Sequence, residues 1–245
     1  MNIFRSLIAT IILPHAGEQV EKAKTIEILP LGQAPPWIAP PLNQLGPLIP
    51  PDLPPPVFLG HDPKELNIQL KPNVVSKALN IPGDLKKIQL VNNAARAAGE
   101  KFWLVFPAPA SAVSQVVLIR DHAQKQPSWK QIKVGKVLDQ SHKAFPKETI
   151  RFVNLSKENV AARFSLQNQP AVNPAQVLKP GQVKILKMPA GAIHDLALAR
   201  KQGGKWRGPF KNIVNHAAGQ RTSVYLLDSH PDLKGGPSVQ VTIMR

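Results

Sequence analysis

The sequence predicts an all-β protein built as two tandem antiparallel β-sandwich domains. Three observations carry that reading. Apolar and polar residues alternate over short runs, the period of two that marks a half-buried strand. Turn-forming pairs such as Pro82-Gly83, Pro180-Gly181 and Gly203-Gly204 separate those runs. No amphipathic helix of ordinary length lies between strands, which excludes a βαβ arrangement.

The chain has 245 residues, enough for one large domain or two ordinary ones. It contains 26 prolines, which belong in loops, edge strands or extended segments because proline has no N–H for a central ladder. It has no cysteine, so disulfides and thiol catalysis are excluded. The net charge is +16. Residues 1–147 carry 17 basic and 10 acidic side chains and the remainder 14 and 5, giving +7 and +9. Both halves are therefore basic. The charge suits either a solvated basic surface or an anionic partner.

Residues 1–16 read as a signal peptide, with Arg5 before the apolar run Ser6–Leu13 and Ala16 at the cleavage position. The competing reading is a buried first strand. No later run approaches the ~20 apolar residues of a membrane-spanning helix. The first domain is assigned to residues 20–143. Thr25–Leu31 is its first strand. A Pro-rich segment follows over residues 30–56, with 11 prolines and the apolar side chains Trp37, Leu45 and Ile49. It reads as polyproline chain packed on the domain, or else as a ligand for an aromatic groove. Leu66, Ile68 and Leu70 form one alternating run, and Ile88 and Leu90 another. Phe102–Phe106 is apolar at every position and predicts a central strand covered on both faces. Val116–Ile119 has the same character. Trp129–Leu138 supplies a last strand.

The second domain is assigned to residues 145–245. Its first strands are the most readable part of the chain. Val160, Ala162, Phe164 and Leu166 alternate with Ala161, Arg163, Ser165 and Gln167. The polar stretch Asn154–Asn159 predicts a tight hairpin connection. Lys179-Pro180-Gly181-Gln182 fits a type II turn. Leu186 interrupts the alternation after Ile185, which suggests a bulge. Gly203-Gly204 predicts a two-residue hairpin turn, and Thr222–Leu227 and Val239–Ile243 close the domain.

The order FPKETIRFVNLS, VAARF, LKPGQVKIL, LALAR, GGKW, RTSVYLLD resembles a recurrent kind of secreted bacterial protein with two immunoglobulin-like or cupredoxin-like sandwiches in tandem. The second half is also distantly similar to the domains of the alginate O-acetylation accessory protein, a periplasmic, non-catalytic factor. The resemblance covers residues 145–228 best. It implies fold and a secreted or periplasmic location, and it carries no catalytic residue.

A blue-copper site needs a Cys thiolate, so the absence of cysteine removes it. His194, His216 and His230 match no zinc spacing and read as unrelated histidines. No phosphate-binding, dinucleotide-binding or serine-hydrolase motif occurs. The expectation is no enzyme, no cofactor and no metal. The strongest candidate site is electrostatic. Arg200, Lys201, Lys205, Arg207 and Lys211 fall within twelve residues around the Gly-Gly turn, with Trp206 and Phe210 among them. Cations interleaved with aromatics suit a polyanion or a sugar chain. The bland alternative places Trp206 and Phe210 on one face, in the core, with the cations solvated. The expected role is a structural or accessory binding protein for an acidic polysaccharide or envelope component. The rival is a nucleic-acid-binding protein, which the charge alone suggests.

Overall fold

A computed structural model describes residues 22–32, 53–60, 67–93, 97, 99, 102–120, 129, 132–167, 169, 175–187, 191–228 and 239–244. The signal-peptide reading of residues 1–16, most of the Pro-rich segment with Trp37, Leu45 and Ile49, and His230 lie outside them.

The chain is all-β. Its first half carries β1 (Lys24–Leu31), β2 (Val57–Leu59), β3 (Asn67–Ile68), β4 (Leu79–Ile81), β5 (Lys87–Val91), β6 (Leu104–Pro107), β7 (Val113–Arg120) and β8 (Ile132–Asp139). Its second half carries β9 (Thr149–Asn154), β10 (Val160–Leu166), β11 (Gln176–Leu178), β12 (Val183–Lys187), β13 (Ala192–Gln202), β14 (Lys205–His216), β15 (Arg221–Asp228) and β16 (Val239–Met244). The sheets of the first half run β4-β1-β7-β8 and β3-β2-β5-β6. Those of the second run β12-β9-β15-β16 and β11-β10-β13-β14. Adding eight to each strand number converts the first pair into the second, so one topology is used twice. Among the described residues all ladders are antiparallel except β1–β7 and β9–β15, which are parallel.

Each half closes around its own core, because each strand turns one apolar row inward. Ile26, Ile28, Val57, Leu59, Ile88, Leu90, Val116 and Leu118 form the first. Ile150, Phe152, Val160, Ala162, Phe164, Leu196, Leu198 and Val224 form the second. There the Phe152 and Phe164 rings meet at 4.7 Å with a 58° tilt. The opposite rows of β1, β7, β9 and β15 are apolar as well. Leu29, Leu31, Val117, Ile119 and Leu138 pack with Val153, Tyr225 and Leu227 in a third cluster that joins the two halves. Burying each such side chain contributes roughly 1.5–3 kcal/mol. The uniform Val116–Ile119 run follows from this arrangement, since β7 is covered on both faces.

Several local readings need correction. Asn154–Asn159 is no hairpin connection: β9 pairs with β12 and β15, while β10 lies in the other sheet. The segment is an arch between sheets, organised by the fully buried Asn154. Its Nδ2 donates to the Glu158 carbonyl (2.9 Å) and the Leu178 carbonyl (3.0 Å), and its Oδ1 accepts from the Ser156 N–H (3.0 Å). Phe102–Phe106 is not a central strand. β6 is a sheet edge, Val105 is exposed, and only the alternate residue Phe106 is buried. Leu186 marks no bulge, because the β9–β12 register runs unbroken and Leu186 packs on the second core. The type II turn is present: Gln182 N–H donates to the Lys179 carbonyl at 3.0 Å, and Gly181 takes φ +73°, which a side chain disfavours.

Candidate functional site

The longest hairpin of the second half, β13–β14, is closed by Gln202 opposite Lys205. Gly203 and Gly204 both have positive φ (+55° and +80°), the requirement of a two-residue type I′ turn. Near the turn the register shifts. Leu198 faces Phe210, yet Arg200 faces Arg207, so two steps on β13 match three on β14. The extra residue falls in Gly208-Pro209 and makes a β-bulge.

The bulge decides which side chains share a face, because opposed residues in a ladder lie on the same side of the sheet. Arg200 and Arg207 continue the core-side row of Leu198. Lys201 and Trp206 stand together on the outer side, and so does Lys211 opposite Ala197. The reading that put Trp206 in the core is therefore corrected: Trp206 is 47% exposed on the outer face, and the register shift lies between it and the Leu198–Phe210 pair, so parity along β14 does not carry across. Lys205, Arg207 and Lys211 are exposed and Lys201 is half-buried. Arg200 differs from the others. Its Nη2 lies 3.1 Å from Asp228 Oδ1 at the end of β15, so it ties the two sheets together at this end of the sandwich.

The outer face of the β11-β10-β13-β14 sheet also holds a groove of about 610 Å³. Two rows of register build it. Arg163, Ala197 and Lys211 lie side by side on β10, β13 and β14, and Ser165, Asp195 and Ile213 form the next row. Ala197 makes a low floor between two basic walls. Gln169 closes one side. Ile213, 56% exposed, offers an apolar edge. Arg163, Ser165, Asp195 and Ala197 were not singled out from sequence as site residues. The alternation of β10 does place Arg163 and Ser165 on its wetter side, but nothing local shows that β13 lies beside them.

Several titratable groups elsewhere among the described residues are built into the scaffold. At the junction of the halves Arg151 is buried; it donates to the Asp139 carbonyl (3.2 Å) and Ser223 Oγ (3.0 Å) and stacks 4.0 Å over the Phe145 ring. Burial lowers its pKa. The Tyr225 hydroxyl hydrogen-bonds Gln115 across the junction, and burial pushes its phenol up. Burial also pushes the Glu27 carboxyl up, against the pull of Arg221. Asp139 is held below the usual carboxylate range, first by the Ser141 N–H that it accepts at 2.7 Å. His216 Nδ1 lies 2.9 Å from Thr222 Oγ1, and burial lowers its pKa. Among the described residues no group of three or more His, Cys, Asp or Glu is placed to hold a metal. None of their helices is long and apolar enough to cross a membrane.

No protein-family model matches the chain, and no curated protein matches it. The resemblance drawn from its strand and turn order therefore rests on the β-sandwich architecture alone.

Proposed function

We propose that this chain is a non-catalytic structural or accessory binding protein, secreted or periplasmic, that holds an acidic polymer through the β13–β14 hairpin. The observation that carries the reading is the exposed Trp206 ring beside Lys201 on the outer face, with Lys205, Arg207 and Lys211 also exposed. No carboxylate occurs from residue 200 to 211. Cations supply long-range attraction, and an aromatic face adds short-range stacking on a ring.

Elution from immobilised heparin tests the reading. The triple variant Lys201→Gln/Lys205→Gln/Arg207→Gln leaves Arg200 and its partner in place. It is expected to elute at clearly lower salt, with the log–log salt slope of binding reduced by about 2. Unchanged elution of the folded variant contradicts the proposal. We further propose residues 20–143 and 145–245 as the two domains, since β8 and β9 belong to different sheets. A fragment of residues 145–245 that shows no cooperative unfolding contradicts that division.

A further inference from the structure

We propose that the groove over Ala197 is a subsite for an acidic oligosaccharide, one segment of a polysaccharide chain that runs along β13 toward Trp206. The inference deepens the polymer-binding proposal and rests on it, and it places a second point of contact on the same outer face, away from the hairpin tip.

The register supplies the path. Ala197, Ala199 and Lys201 share the outer row of β13, and Ala161 stands opposite Ala199 on β10. The short side chains of Ala161, Ala197 and Ala199 put little bulk on the outer face between the groove and Lys201. Lys201 is four residues from Ala197, so the Trp206 ring opposite it begins about 13 Å along the strand. That span fits a short oligosaccharide rather than a single sugar. Arg163 and Lys211 flank the Ala197 floor and match a carboxylate or sulfate on a sugar ring. Asp195 and Ser165 lie in the next row and can accept from or donate to ring hydroxyls. The mixture favours a sugar acid over nucleic acid: Arg163 and Lys211 can take an acidic group while Asp195 accepts from ring hydroxyls, donors that a DNA phosphate backbone lacks.

The probes are tetragalacturonate, the neutral maltotetraose and the tetranucleotide of thymidine, measured by calorimetry with the full chain. Tetragalacturonate is expected to bind at least tenfold more tightly than either of the others. Ala197→Tyr fills the floor from a half-buried position whose side chain lies toward the open groove, and it should reduce tetragalacturonate affinity at least tenfold. Lys211→Gln, which adds no bulk, should weaken the acidic probe and leave maltotetraose unchanged. The tip variant Lys201→Gln/Lys205→Gln/Arg207→Gln separates the two proposals. If it loses heparin while Ala197→Tyr and Lys211→Gln leave tetragalacturonate binding intact, the groove is not the subsite and the hairpin reading stands. Equal or tighter binding of the tetranucleotide overturns the saccharide assignment, as does the absence of tetragalacturonate binding.

Discussion

The two halves share a topology strand for strand, and they differ most at one hairpin. In the first half β5 and β6 contribute 5 and 4 residues; their counterparts β13 and β14 contribute 11 and 12. The short pair is only long enough to cover its core. The long pair continues past the end of the β10 ladder at Val160–Arg200 and carries five cations, an exposed Trp and one wall of a groove. The comparison teaches that the scaffold is indifferent to the extension. Surplus length on one edge of a sheet adds surface without disturbing the core, and functional groups can be placed there at little cost in stability.

A second contrast lies between the two kinds of outer face. On β1, β7, β9 and β15 the outer rows are apolar and buried against each other. On β10, β13 and β14 they mix small and charged side chains with Ile193, Ile213 and Trp206, and none of these is packed against the other half. Corresponding positions on the buried face even carry opposite charges. The registers Ile28 with Val116 and Phe152 with Val224 place Glu27 and Arg151 at equivalent points. The largest expected effect breaks this junction. Arg151→Ala removes a buried cation from the Asp139 carbonyl, Ser223 and the Phe145 ring, and should cost about 3 kcal/mol in urea unfolding. Glu27→Ala should cost under about 1 kcal/mol, because burial already disfavours its charge. Equal costs would remove the asymmetry between the halves.

The next effect depends on pH. Tyr225 is the single tyrosine of the chain, so its ionisation can be followed directly by ultraviolet absorbance. In the unfolded chain a phenol loses its proton near pH 10. In the folded chain burial keeps it protonated to higher pH. The unfolded state then binds fewer protons. Stability is fully present below about pH 10 and falls above it by up to about 1.4 kcal/mol per pH unit, until the folded phenol ionises. Tyr225→Phe should flatten that slope. Tyrosinate absorbance appearing at the ordinary pH in the folded protein contradicts the buried junction.

The smallest stability effects are expected on the outer face. Trp206→Ala and Lys205→Gln should each change stability by less than about 0.5 kcal/mol. Trp206→Ala should nevertheless weaken acidic-polymer binding by about 1–3 kcal/mol, the usual worth of ring stacking. A large loss of stability in Trp206→Ala would mean that the ring belongs to the core.

What the sequence made legible was what depends on neighbours along the chain. The alternation of Val160 to Phe164, the type II turn at Pro180-Gly181 and the I′ turn at Gly203-Gly204 are local, and all three are present. The uniform run Val116–Ile119 correctly signals burial on both faces. The equally uniform run Phe102–Phe106 does not, because an edge position is fixed by which strands pair and not by the run itself. The Asn154–Asn159 arch has the composition of a hairpin turn, yet polar turn residues do not specify whether the next strand joins the same sheet. The site was half legible. The cations of the hairpin are dense in sequence, but the bulge at Gly208-Pro209 reverses the parity on which the orientation of Trp206 depends. The groove was hidden, because Arg163, Ala197 and Lys211 meet only through the register of three strands.

The central claim is that one of two like-built sandwiches carries the binding surface. Backbone amide chemical-shift mapping of the full chain with polygalacturonate tests it most directly. The predicted result is a set of shifts confined to β10, β13 and β14, centred on Ala197, Lys201 and Trp206, and lost as salt is raised. Shifts centred on β5 and β6 of the first half, or none at a concentration of polymer that saturates heparin-like binding, would contradict it.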